Sequence, residues 1–305
     1  MDLLSQMFFR LRKPSKREKN GLWKLSPDEG NTESHATIDI IAIHGLGGDA
    51  FGTWTDEDGK LWLRDFLPAR LTNARIFTYG YDSAVAFSKS SAEIDDFARD
   101  LLQRVKLARS SEEHRGSPLY FICHSLGGLV LKQALNLDNE NKDANGGGDA
   151  QLLAWLRGVV FMGTPHAGSD VAFWGALAGR LLHTASLGTS TNRGLLKLLR
   201  KDSTFLGALS LRFAMENPQI RILSFYELEK FPFLNCRIVE KSSAQLHLPN
   251  ETALPIQADH RAMCRFGDST SQKYRAVEDA ISELLRLTQT VGGLVDSGII
   301  DGEYS

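Results

Sequence analysis

The sequence predicts an α/β protein built on a mostly parallel sheet with helices on both faces. Six runs rich in β-branched and aromatic residues recur from residue 37 onward, and segments of helical period lie between several of them. Several of the runs are apolar throughout, as strands covered on both faces must be. The 305 residues suffice for one large domain or two small ones.

Residues 1–36 differ in composition from the rest of the chain and are expected to precede the domain. Leu3, Leu4, Met7, Phe8 and Leu11 recur at helical spacing beside Arg10, Arg12 and Lys13, the pattern of an amphipathic segment for a membrane surface or a partner. A frayed terminus is the plainer alternative. The domain is expected over 37–288. TIDIIAIHG, ARIFTYGYD, PLYFICHS, LRGVVFMGTP, IRILSFYE and CRIVEKSSA read as its strands. Between the second and third, Ile94, Phe97, Ala98, Leu101, Leu102 and Val105 form one apolar helical stripe, and Ser90 with Glu93 has capping-box spacing. A second stripe, Tyr274, Val277, Ile281, Leu284 and Leu285, follows the last strand. Residues 136–150 read as a low-complexity surface loop, HLPNETALP as a turn-rich excursion, and residues 289–305 as a flexible tail or linker.

The charge balance, 35 Lys and Arg against 37 Asp and Glu, offers no global field for nucleic acid. Three scattered cysteines, Cys123, Cys236 and Cys264, fit neither a disulfide scaffold nor a zinc site and favour a reducing, cytoplasmic setting. No apolar run reaches the ~18 residues of a spanning helix.

The stretch FICHSLGG carries the chemistry. If Ser125 ends a strand and Leu126-Gly127-Gly128 opens a helix, the tight turn lifts its hydroxyl above the sheet, and the helix start brings the Leu126 N–H near a nascent oxyanion. Cys123 stands where the G-x-S-x-G elbow has its first glycine. A helix-capping serine is the bland reading. A second glycine turn, His44-Gly45-Leu46-Gly47-Gly48, can aim the Leu46 N–H into the same crevice. That run lacks the Lys-Ser/Thr of a phosphate loop and the G-x-G-x-x-G spacing of a dinucleotide site.

A serine hydroxyl needs a base, and the base an orienting carboxylate. In the order Ser, acid, His, only His247 and His260 remain for the base; His260 precedes the final helix and fits better. Glu227 closes its strand and is the candidate acid, with Glu229 as fallback and Asp259 and Asp170 as further alternatives. His44, His124, His166 and Trp174 are candidates to shape the pocket. Beyond GTPHAGS, an apolar insertion could be a lid or acyl pocket, with Phe173, Trp174 and Leu181 as lining, or plain core helix.

HGLGG, CHSLGG, GTPHAGS, KSSAQL and ADHRAMCRF together resemble the lipase- or esterase-like α/β-hydrolase domain at the N-terminus of many fungal NOD-like receptor proteins, related to serine esterases of the GPI inositol-deacylase type. The resemblance runs from about GLWKL to the final helix. It implies the α/β-hydrolase fold, Ser125 as nucleophile, His260 as base, and Leu46 and Leu126 as the oxyanion hole. It also implies an immune or cell-death effector released by a nucleotide-binding receptor module, expected either covalently linked or as a separate partner, since the 305 residues hold no such module. The expectation is a cofactor-free and metal-free serine hydrolase of lipid or other acyl esters. The alternative is a signalling or membrane- and partner-binding module that keeps the fold without its chemistry.

Overall fold

The computed structural model describes residues 20–27, 36–83, 92–144, 152–167, 204–231 and 236–292. In chain order the elements are β1 (Gly21–Ser26), β2 (Ile38–Ile43), the short helices α1 (Trp62–Asp65) and α2 (Leu67–Arg70), β3 (Ala74–Gly80), α3 (Ala92–Ala108) and α4 (Glu112–Arg115). They continue as β4 (Leu119–His124), α5 (Gly127–Ala144), α6 (Leu152–Trp155), β5 (Leu156–Met162), α7 (Thr204–Glu216), β6 (Arg221–Glu227), β7 (Glu251–Ile256) and α8 (Gln272–Gly292).

The seven strands lie in the order β1-β3-β2-β4-β5-β6-β7. Only β1 runs antiparallel, against β3; the other five pairings are parallel. Alternation along the central strands splits the core in two. Ile41, Ile43, Phe121 and Cys123 face α3, α5 and α7, whereas Ile40, Ala42, Tyr120 and Ile122 face α1 and α8. This two-sided burial is the cause of the uninterrupted apolar runs.

Both helical stripes expected from the sequence are buried. Tyr274, Val277, Ile281, Leu284 and Leu285 of α8 pack on one face of the sheet. Five such side chains contribute on the order of 10 kcal/mol by burial, against tenths per residue from helix propensity, so packing holds the helix.

The structure departs from five expectations. GLWKLS belongs to the domain rather than to a leader: it forms β1, paired with β3 from Gly21↔Gly80 onward. Its half-buried, partly polar pattern is that of an edge strand. CRIVEKSSA is not a strand. Ile238 and Val239 are buried, but the Val239 N–H donates to Glu227 Oε1 at 2.7 Å and so is spent outside any ladder. ETALPI, read as part of a turn-rich excursion, takes the place beside β6 as β7. Pro255 is tolerated there because the outer edge of an end strand requires no donor.

Residues 136–144 are helical, not loop, because their polar groups find partners across the layer. Asp138 pairs with Lys106 of α3 at 3.2 Å, and Glu140 with Arg212 of α7 at 2.6 Å. At the other end α8 reaches Gly292, past the expected boundary at 288, with Thr288 buried and bonded to Tyr120 Oη at 2.7 Å. Of the apolar insertion expected as a lid or core helix, residues 204–214 lie in α7, with Leu206, Leu209 and Phe213 buried in the core, while residues 171–188 and 194–203, the amphipathic start and Ser90 lie outside the described residues. Among the described residues no helix is long and apolar enough to cross a membrane.

Candidate active site

The turn after β4 is sharp. Ser125 has φ 51°, a left-handed conformation costly for a residue with a Cβ, and its N–H donates to the Met162 carbonyl of β5 at 2.9 Å. Helix α5 starts two residues later, so Ser125 stands between a strand end and a helix N-terminus. Gly127 is required by close approach: a Cβ there would lie 2.4 Å from the Ile43 carbonyl oxygen and 2.6 Å from that of His44. Cys123 points into the core, fully buried, where burial raises its thiol pKa well above the usual value and keeps it neutral.

His260 follows β7, in a loop tied down on several sides. Asp259 Oδ1 accepts the N–H groups of Arg261 and Ala262 at 2.8 and 2.9 Å. Trp62 Nε1 donates to the Cys264 carbonyl at 2.9 Å, and Arg265 donates to the Gly52 carbonyl at 3.0 Å. The loop delivers His260 Nε2 to within 3.0 Å of Ser125 Oγ across a sequence separation of 135. Glu227, at the end of β6, places Oε2 3.4 Å from His260 Nδ1. Ser125, His260 and Glu227 are all at most 3% exposed.

The other candidates for base and acid are elsewhere. His247 is exposed, its ring bonded to the Ser242 carbonyl at 3.2 Å. Glu229 is exposed and accepts from Gln257 at 3.0 Å. Asp259 is occupied by its own turn. Asp170, like Phe173, Trp174 and Leu181, lies outside the described residues.

The loop after β2 meets the serine turn directly. A Cβ on Gly45 would come 2.8 Å from Ser125 Cβ, so only glycine lets the two turns touch. The N–H groups of Leu46, after Gly45, and of Leu126, after Ser125, therefore belong to neighbouring turns. His44 fixes this loop. Its Nδ1–H donates to the Gly45 carbonyl at 2.9 Å, and its Nε2 accepts the Tyr81 N–H at 3.2 Å. Tyr81 Oη donates in return to the His44 carbonyl at 3.0 Å, its ring stacked 4.4 Å from the imidazole. Burial lowers the His44 pKa to about 4, so the ring is neutral with one tautomer. Ser83 accepts the Gly47 N–H at 3.0 Å and holds the far side of the loop.

His166, expected at the rim, is 3% exposed and turned into the protein. Its Nδ1 lies 2.5 Å from Lys132 Nζ, which also donates to Ser210 at 2.8 Å and sits over the Phe161 and Phe213 rings. Burial lowers the pKa of both His166 and Lys132. Tyr81, Ser83 and Lys132 escaped the sequence reading. Lys132 had a signal, a cation inside the apolar run LVLKQAL. Among the described residues no group of three or more His, Cys, Asp and Glu side chains is arranged to hold a metal ion.

A mostly parallel sheet, with a serine on a strained turn after β4, a carboxylate at the end of β6 and a histidine after β7, defines the α/β-hydrolase fold. Among solved structures, the mature lipase BlEst2 of Bacillus licheniformis superposes with a TM-score of 0.56 at 17% identity, over 87% of this chain and 97% of that one. In sequence the chain is similar to Protein SERAC1 of Danio rerio, 24% identical over 275 residues, and of Homo sapiens, 24% identical over 296. Those matches cover 81% and 88% of this chain but 39% and 42% of the relatives, so the chain spans about two fifths of their length. No protein-family model matches it.

Proposed function

We propose that the chain is a serine hydrolase of carboxylic esters. The observation that carries this reading is the 3.0 Å approach of His260 Nε2 to Ser125 Oγ, with Glu227 behind the imidazole. Ser125 Oγ attacks the ester carbonyl while His260 Nε2 takes its proton. The carbonyl oxygen gathers negative charge and is held by the N–H groups of Leu46 and Leu126. His260 then passes the proton to the departing alkoxide, leaving an acyl-enzyme. Water, deprotonated by the same imidazole, releases the acid and restores Ser125. Glu227 keeps the proton on Nδ1 and offsets the imidazolium charge.

Lipid or other acyl esters are the proposed substrate class, on the apolar sequence between β5 and α7. The receptor-linked effector role rests on the resemblance of the motif set alone. A fluorophosphonate probe with mass-spectrometric site mapping tests the core of the reading. Labelling of Ser125, together with p-nitrophenyl ester hydrolysis lost in Ser125→Ala, is the expected result. Full hydrolysis in that variant would end the proposal, and labelling elsewhere would move the nucleophile.

A further inference from the structure

His124 precedes the nucleophile, yet its side chain serves neither the oxyanion loop nor solvent. It is 8% exposed, and its Nε2 lies 2.9 Å from the main-chain carbonyl of His260. A carbonyl only accepts, so Nε2 carries the hydrogen and Nδ1 is bare. The two imidazoles are tilted at 46° with centroids 4.9 Å apart. On its other side the His124 ring abuts the oxyanion loop: a Cβ on Gly45 would meet His124 Nδ1 at 3.0 Å.

From this geometry we infer that His124 is the positioning residue of the general base, holding the His260 main chain against the strand that carries Ser125. The inference rests on the ester-hydrolase reading and adds a second control of His260. Glu227 acts on the imidazole through Nδ1; His124 acts on the backbone from which that imidazole hangs. The 2.9 Å bond from His124 to the main chain and the 3.4 Å approach of Glu227 to the imidazole together leave the ring little freedom to swing from Ser125 Oγ. Because His124 and Ser125 are consecutive, the nucleophile and the tether of its base share one rigid strand end. A neutral His124 is also needed, since a second cation would oppose the imidazolium that His260 becomes during turnover. Burial and the neighbouring His260 both lower the His124 pKa and keep it uncharged.

The test compares His124→Phe, which keeps a ring but has no N–H, with His124→Gln, whose terminal amide reaches the position of Nε2, and His124→Asn, whose amide falls short. For p-nitrophenyl ester hydrolysis, His124→Phe and His124→Asn are expected to lower kcat ten- to hundredfold, the scale of a misplacement of about 1 Å. KM should change less than about twofold, because no substrate contact is lost. His124→Gln should recover most of kcat. If His124→Phe does not fold, the Gln and Asn pair decides: Gln active and Asn impaired supports the inference. Equal kcat in Gln and Asn, or wild-type kcat in a folded Phe variant, overturns it. Fluorophosphonate labelling of wild-type Ser125 is the separate control. Its absence defeats the hydrolase reading itself, whereas labelling with unchanged variants defeats only the role of His124.

Discussion

Glu227 divides its carboxylate between two partners: Oε1 accepts the Val239 N–H at 2.7 Å, and Oε2 faces His260 Nδ1 at 3.4 Å. The first bond fixes the orientation of the second oxygen, so the buried loop at 238–239 aims the acid at the base. A contact of 3.4 Å is long for a hydrogen bond, as resting sites often show before substrate closes them.

Glu227→Gln tests this arrangement. The amide oxygen would keep the Val239 bond and its NH2 would turn toward Nδ1. His260 would then shift its proton to Nε2 and could not receive one from Ser125. The expected loss in kcat is about 10³- to 10⁴-fold with KM little changed, as for other triads given the wrong tautomer. Glu229→Gln should match the wild type. A Glu227→Gln enzyme of normal kcat would move the acid role elsewhere.

Gly127→Ala probes the elbow. The added methyl would strike two backbone carbonyls, at Ile43 and His44, and neither can rotate away. The start of α5 must shift outward instead. A stability loss of about 1 to 3 kcal/mol in urea unfolding is expected, with slower fluorophosphonate labelling because the Leu126 N–H moves too. Wild-type stability would show that the turn has slack.

The central sheet was legible because strands covered on both faces must be apolar throughout, and Ile38–Ile43, Leu119–His124 and Leu156–Met162 are fully or almost fully buried. Ser125 was nameable as a candidate because it follows a strand end and opens a glycine turn, and His260 because it precedes the final amphipathic helix. Which face Glu227 takes depended on the register of β6, which no local pattern sets. The edges were harder. Glu251–Ile256 carries a charge and a proline and is a strand only because β6 offers it a ladder. Ile238 and Val239 have strand composition but serve as packing and as a donor to Glu227. His166 looked like a rim residue because its partner Lys132 comes from α5, 34 residues away in sequence.

The pKa of His44 makes stability depend on pH. The folded ring titrates at about 4, below the unfolded value of 6.5, so the unfolded chain binds the extra proton between these two values. The contribution is therefore fully present above 6.5, falls as pH drops, and is gone near 4, a total of about 3 kcal/mol. His124 and His166, lowered in the same sense, add to the fall. Urea unfolding at pH 7.5 and pH 5 should show His44→Gln losing less than the wild type, by about 1.4 kcal/mol per pH unit within the window. Equal slopes would mean that the folded protein holds the His44 pKa near its unfolded value, so that protonating Nε2 at the expense of the Tyr81 bond costs nothing.

Lys132 separates the cost of a buried charge from the value of its bonds. Its amino group has left water for a niche between Phe161 and Phe213, and burial lowers its pKa well below the ordinary lysine value. Lys132→Met keeps the volume and removes that desolvation cost, while His166 and Ser210 each lose one partner worth about 1 kcal/mol. These terms oppose each other, so at pH 7 the Met variant should lie within about 1 kcal/mol of the wild type. Lys132→Ala also leaves a cavity and should lose about 3 kcal/mol. The pH dependence isolates the charge. Between the lowered folded pKa and the unfolded one, the unfolded chain binds more protons, so wild-type stability climbs as pH rises through that window. In Lys132→Met the climb should be shallower between pH 7 and 10. An unchanged slope would mean that the folded protein keeps Lys132 charged, with the two rings and His166 bearing the cation; the Met variant would then owe its stability to packing alone.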